Sequence, residues 1–99
     1  MTKCLLTHKA VEDLSKIWDY TYEAWSENQA DKYYELIVVA FQEIAENSTL
    51  GKSYKEISKE ILGFKAGKHI IFYRELTSRK VEIIRVLHER MDIKNRIGE

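Results

Sequence analysis

Two stretches in the second half of the chain limit its fold more than anything else in it. His69-Ile70-Ile71-Phe72-Tyr73-Arg74 and Val81-Glu82-Ile83-Ile84-Arg85-Val86-Leu87-His88 are rich in β-branched and aromatic residues, and their apolar side chains fall on both parities. A strand with one wet face alternates, whereas a strand apolar on both faces must be covered on both. Each stretch therefore predicts an inner strand with material on either side of its sheet. Glu75 to Arg79, polar throughout except for Leu76, predicts the hairpin loop between them. Upstream, Glu60 to Phe64 predicts a weaker strand containing Gly63, and Lys65-Ala66-Gly67-Lys68 a turn.

The first half follows a different period. Lys3 to Leu6 is a short apolar run that predicts a first strand, and Thr7 after it is a good helix N-cap. From there Ala10, Leu14, Ile17, Trp18, Thr21 and Trp25 step by three and four along one helix face. Glu12, Asp13 and Asp19 fall off that face, and the first two suit the positive end of the helix dipole. Ser26-Glu27-Asn28-Gln29 reads as a capping box that starts a second helix. Its apolar positions are Ala30, Tyr34, Ile37, Val38, Phe41, Ile44 and Ala45, and it runs out near Asn47-Ser48. Two helices with a break of about one residue make a tight helical hairpin. Glu89 to Ile97 can add a short helix at the end.

The expected architecture is α+β with the order β-α-α-β-β-β, a helical hairpin packed on one face of a small, largely antiparallel sheet. Proline is absent, and no repeat or low-complexity tract marks a boundary, so residues 1–99 are expected to form a single domain.

Charge limits the function classes. The net charge is zero, but residues 1–50 carry −5 and residues 51–99 carry +5. A dedicated nucleic-acid binder usually has a net basic excess for phosphate contacts. An acidic half beside a basic half suits a charged protein partner at least as well. Cys4 has no second cysteine to pair with, which fits a reducing compartment, and a buried, inert thiol in a strand is the expectation. No apolar run approaches the length of a membrane span, and Cys4-Leu5-Leu6 is too short for a signal peptide core, so a cytoplasmic location is expected.

Arg85-Val86-Leu87-His88-Glu89-Arg90-Met91-Asp92 is the densest candidate site. It reads either as an interface with an arginine anchor or as a strand end closed by surface ion pairs, Glu89 or Asp92 with Arg85 or Arg90. Arg74 and Arg85 can equally be structural, their stems packed and their guanidinium groups reaching the rim. His88 and Asp92 share a helical spacing, but His8 and His69 have no ligand spacing around them, so no metal site and no cofactor is expected. Trp18, Trp25, Tyr22 and Tyr33 read as core or as a seam between hairpin and sheet, with Trp18 inside and the tyrosines at the rim.

Two of these segments carry a resemblance. Lys68-His69-Ile70-Ile71-Phe72-Tyr73-Arg74 resembles the "GRHVIFYR" strand of the ParE/RelE toxins, and Ile83 to Asp92 resembles their "IVRILHERMD" strand and tail. Asp13-Leu14, Ile17, Tyr20 and Trp25 to Tyr33, with Gln29-Ala30 inside it, are similar to the ParE helical hairpin. The likeness spans nearly the whole chain. It departs from the family where ParE proteins often carry Gly-Leu-Arg, since this chain has Glu60-Ile61-Leu62.

The resemblance implies a toxin of a type II toxin–antitoxin system that inhibits DNA gyrase by binding, without catalysis and with no direct nucleic-acid contact required. It also implies neutralisation by a ParD-like antitoxin. Arg74, Arg85, His88, Glu89, Arg90 and Asp92 are the implied gyrase contacts. Trp18, Tyr22, Trp25 and Tyr33 are the implied antitoxin groove. The alternative within the superfamily is a RelE-like, ribosome-dependent mRNA endonuclease. It would use His88 as general acid or base and Arg74 and Arg85 to stabilise the phosphorane. A member that keeps the fold and binds antitoxin without toxicity is a third possibility.

Overall fold

A computed structural model of the chain describes residues 3–54, 57–77 and 80–97. Strand β1 (Lys3–Leu6) leads into helices α1 (His8–Ala24) and α2 (Glu27–Glu46). Strands β2 (Lys52–Ser53), β3 (Leu62–Ala66), β4 (His69–Thr77) and β5 (Lys80–His88) follow, then the short helix α3 (Ile93–Arg96). The five strands lie in the order β1-β5-β4-β3-β2. All pairings are antiparallel except that of β1 with β5.

This is the expected α+β hairpin-on-sheet, with the two-residue β2 added at one edge. The third strand lies slightly later than expected, at 62–66, and β4 continues to Thr77 where a loop had been expected. The rest of that expected loop, Ser78 and Arg79, lies outside the described residues. The final helix takes up only four residues of the expected segment.

Local chemistry explains the boundaries. The Thr7 hydroxyl accepts from the Ala10 N–H at 3.1 Å and caps α1. The Ser26 hydroxyl accepts from the Gln29 N–H at 3.2 Å and caps α2. Trp25 and Ser26 alone separate the helices. Gly67 turns the β3–β4 connection at φ +62°, where a side chain is disfavoured, and a Cβ there would also press on the Tyr33 ring at 2.8 Å.

The inner strands are covered on both faces, as their two-sided pattern requires. Toward the hairpin, Ile71, Tyr73, Val81, Ile83 and Val86 pack with Ala10, Leu14, Ile17, Ile37, Phe41 and Ile44. On the other face Ile70, Phe72 and Leu87 form a smaller cluster, covered by Tyr54, Ile57, Ile61, Ile93 and Ile97. A loop and α3 thus do the work of a second layer. A shift of register between Phe72 and Tyr73 leaves Ile84 without a direct partner on β4. This bulge switches parity, so Ile83 and Val86 both belong to the hairpin-side core.

The helix faces differ from expectation at several places. Trp25, at the C-cap of α1, is 76% exposed. Tyr34 is exposed and its neighbour Tyr33 is half-buried instead, since the buried stripe steps through 30, 33, 37, 40 and 44. Asp13, assigned to the solvent side, is buried. No helix among the described residues is long and apolar enough to cross a membrane.

Candidate functional site

The site begins with a short strand. β1 pairs only with Lys80 to Ile83, so the second half of β5 has no strand on that side. An unpaired backbone edge must find other partners. Thr7 supplies two: its N–H donates to the Ile83 carbonyl at 3.0 Å and its hydroxyl to the Ile84 carbonyl at 2.7 Å. Asp13, one and a half turns into α1, supplies the next. Its carboxylate accepts from the Val86 N–H at 3.0 Å and, with both oxygens, from Arg85 Nε at 2.8 Å and Nη2 at 3.0 Å.

Arg85 is therefore 8% exposed, which corrects the expectation that its guanidinium reaches the rim. Its Nη1 donates to the Arg96 carbonyl at 2.6 Å. One side chain thereby joins α1, which packs on one face of the sheet, to α3, which packs on the other. The pair is bidentate and shielded, the geometry in which breaking an ion pair is costly.

Beyond Asp13, α1 and the end of β5 diverge and leave a groove. Its inner part encloses about 380 Å³ and is lined by Lys16, Ile17, Tyr20, Thr21, Leu87, His88, Met91 and Arg96, with the Asp13–Arg85 pair at its floor. A second hollow of about 500 Å³ shares Tyr20, Thr21, His69 and His88 and continues to Trp25, Gln29, Tyr33 and Lys68. His69 and His88 are cross-strand partners at the junction, their rings edge to face at 5.2 Å. Burial, with His88 beside it, holds the His69 imidazole down to about 4. The Tyr33 hydroxyl lies 2.6 Å from His69 Nδ1 and accepts from the Lys68 N–H at 3.0 Å, tying α2 to the β3–β4 turn. Burial raises its own titration above the usual phenol range.

The residues read from sequence as one charged cluster separate in space. His88 lines the groove. Glu89 and Arg90 are exposed beside it; Glu89 pairs with Lys65 at 2.9 Å, whose hydrogen bond holds its carboxyl below the usual range. Asp92 accepts from the Asn95 amide at 2.7 Å. Lys65 and Asn95 thus replace the partners expected for Glu89 and Asp92. Arg74 is five residues along β4 from His69, roughly 17 Å at about 3.4 Å per residue, and it pairs with Glu82 at 2.9 Å.

The aromatic set divides too. Trp25 and Tyr33 line the groove. Trp18 is half-buried rather than inside; it stacks on Tyr22 at 5.2 Å and donates to Asp31 at 3.1 Å. Groove residues to which the sequence reading gave no site role of their own include Lys16, Tyr20, Thr21, His69, Met91 and Arg96. A signal existed for His69 alone, which ends one inner strand as His88 ends the other. Cys4 is half-buried rather than fully buried as expected, and that burial pushes its thiol up to about 11. No group of three metal-ligating side chains occurs among the described residues.

A family model described as the ParE toxin of type II toxin–antitoxin systems matches residues 4–93. The chain belongs to the ParE toxin family. Among relatives, it is 35% identical to Toxin ParE1 of Mycobacterium tuberculosis over 92 residues, covering 93% of this chain and 94% of the relative. It is 32% identical to Toxin ParE1 of Caulobacter vibrioides over 93 residues, covering 94% and 95%. The ParE fold is matched in a structure of the chromosomal ParDE system from P. aeruginosa, with TM-score 0.75, 18% identity and coverage of 89% and 96%. A chain of the RelBE2 toxin–antitoxin complex from Mycobacterium tuberculosis has TM-score 0.62 and 20% identity, covering 89% of this chain and 98% of that one.

Proposed function

We propose that this ParE-family chain acts by binding, not catalysis: it inhibits DNA gyrase and is neutralised by a ParD-like antitoxin in the cytoplasm. The observation that carries the reading is the family match across residues 4–93. His88, Glu89, Arg90 and Asp92 form the gyrase-facing surface. Arg85 supports that surface from beneath, through its bond to Arg96. Arg74 serves as a separate, outlying contact. The antitoxin segment runs along the groove past Trp25 and Tyr33, with Trp18 and Tyr22 flanking it on the outer side of α1. The two matched structures come from toxin–antitoxin systems, which favours such a partner.

The endonuclease reading would need Arg74, Arg85 and His88 around one phosphate. Arg85 is committed to Asp13 and Arg96, and Arg74 sits roughly 17 Å from the histidines, which argues against that assembly. The deciding experiment is a gyrase supercoiling and DNA-cleavage assay with the purified chain and with His88→Ala/Arg90→Ala. The wild type should block supercoiling and accumulate linear DNA, and the variant should require about tenfold more protein. Codon-positioned cleavage of translated message with gyrase untouched would establish the endonuclease instead.

A further inference from the structure

The groove contains two polar groups whose direction is set by their neighbours. Tyr33 accepts from the Lys68 N–H at 3.0 Å, and its oxygen lies 2.6 Å from His69 Nδ1, within reach to donate its hydroxyl proton there. The Arg90 N–H donates to His88 Nδ1 at 3.1 Å. That contact puts the His88 ring hydrogen on Nε2, and the tautomer of His69 that accepts from Tyr33 carries its hydrogen on Nε2 as well. Both rings line the groove, and among the described residues no fully buried side-chain nitrogen or oxygen lacks a partner.

We propose that His69 and His88 form a carboxylate-recognition subsite, their two Nε2–H groups donating to an acidic side chain of a peptide segment lying in the groove. The walls suit that chemistry. Lys16, Lys68 and Arg96 bring positive charge, and the one carboxylate in the lining, Asp13, is already held by Arg85 and Val86. Ile17, Leu87 and Met91 offer aliphatic contacts to the residues flanking the acidic one. A nucleic acid would need a longer run of phosphate contacts than a chain of zero net charge presents here. The proposal rests on the antitoxin reading only for where the segment comes from.

The test is an NMR titration of the full chain, with labelled imidazole nitrogens, against a capped octapeptide of alternating glutamate and leucine. Its glutamine counterpart and an octameric oligo-dT serve as controls. The glutamate peptide should shift both Nε2 signals and bind about tenfold tighter than the glutamine peptide, the size expected of charge-assisted hydrogen bonds. His69→Phe/His88→Phe should lose that preference. His69→Gln/His88→Gln, which keeps an N–H near each Nε2 position, should retain it. Should the double phenylalanine variant fail to fold, His88→Phe alone should cut the preference about threefold. Equal affinity for the two peptides, or a preference that survives the phenylalanine changes, overturns the subsite. Tighter binding of oligo-dT at the same two rings overturns it in favour of phosphate. A parallel measurement uses the purified ParD-like antitoxin. No binding to wild type removes the antitoxin reading while the peptides still decide the subsite; binding that His88→Phe leaves unchanged removes the subsite alone.

Discussion

Asp13 and Arg85 show how much one buried pair can be asked to hold. The carboxylate accepts three hydrogen bonds, and the guanidinium touches an element on each side of the sheet. Removing one partner leaves the other buried and uncompensated. Asp13→Ala is therefore expected to cost about 3–5 kcal/mol, read as a lowered urea midpoint, a large share of the roughly 5–15 kcal/mol a domain has. Nothing in the sequence announced this pair. Its members are 72 positions apart, and Asp13 sits where an acidic residue is explained well enough by the helix dipole. His69 gives a pH dependence of definite sign. Its folded pKa is depressed to about 4, so it binds a proton less readily folded than unfolded. Its contribution is complete above about pH 6.5 and is lost as pH falls toward 4. Discounted for partial exposure, the loss is on the order of 1–2 kcal/mol. His69→Gln should flatten that part of the acid limb in urea melts between neutral and mildly acidic pH.

At the scale of elements, legibility followed periodicity. The strands β4 and β5 and both helix starts were readable because apolar parity and capping side chains are local signals. The strand Lys52–Ser53 was not readable, since two residues carry no pattern. The extension of β4 to Thr77 was missed because its polar residues lie at the exposed end of a ladder, where pairing rather than burial defines the strand. The groove was unreadable for the same reason in three dimensions: it exists because β1 stops at Leu6 while β5 continues. Thr7 sits at that junction and serves both elements. Thr7→Val should cost about 1–2 kcal/mol in chemical unfolding, for one cap and one strand-edge bond. α3 is too short to persist alone and depends on Ile93 and Ile97 against Ile70, Phe72 and Leu87. Ile97→Asp should release it, seen as faster amide exchange in residues 93–97 and increased binding of a hydrophobic dye, while the amides of α2 keep their protection.

Across the whole molecule, the acidic half folds mainly into the hairpin and the basic half into the sheet and tail, so charge is sorted between layers. Such sorting acts on encounter more than on stability. The association rate with the antitoxin should fall several-fold between about 50 and 300 mM salt, measured by stopped-flow, while the urea midpoint of the free chain moves little. The parallel pairing of β1 with β5 has a different consequence, in time rather than in space. Thr7 meets its carbonyl partner 77 positions later in the chain. While the protein is being synthesised, the first strand waits exposed until β5 has emerged, and Asp13 remains a solvated carboxylate until Arg85 arrives. The groove cannot exist on a nascent chain that stops short of His88, so a ribosome can carry most of this domain before the groove forms.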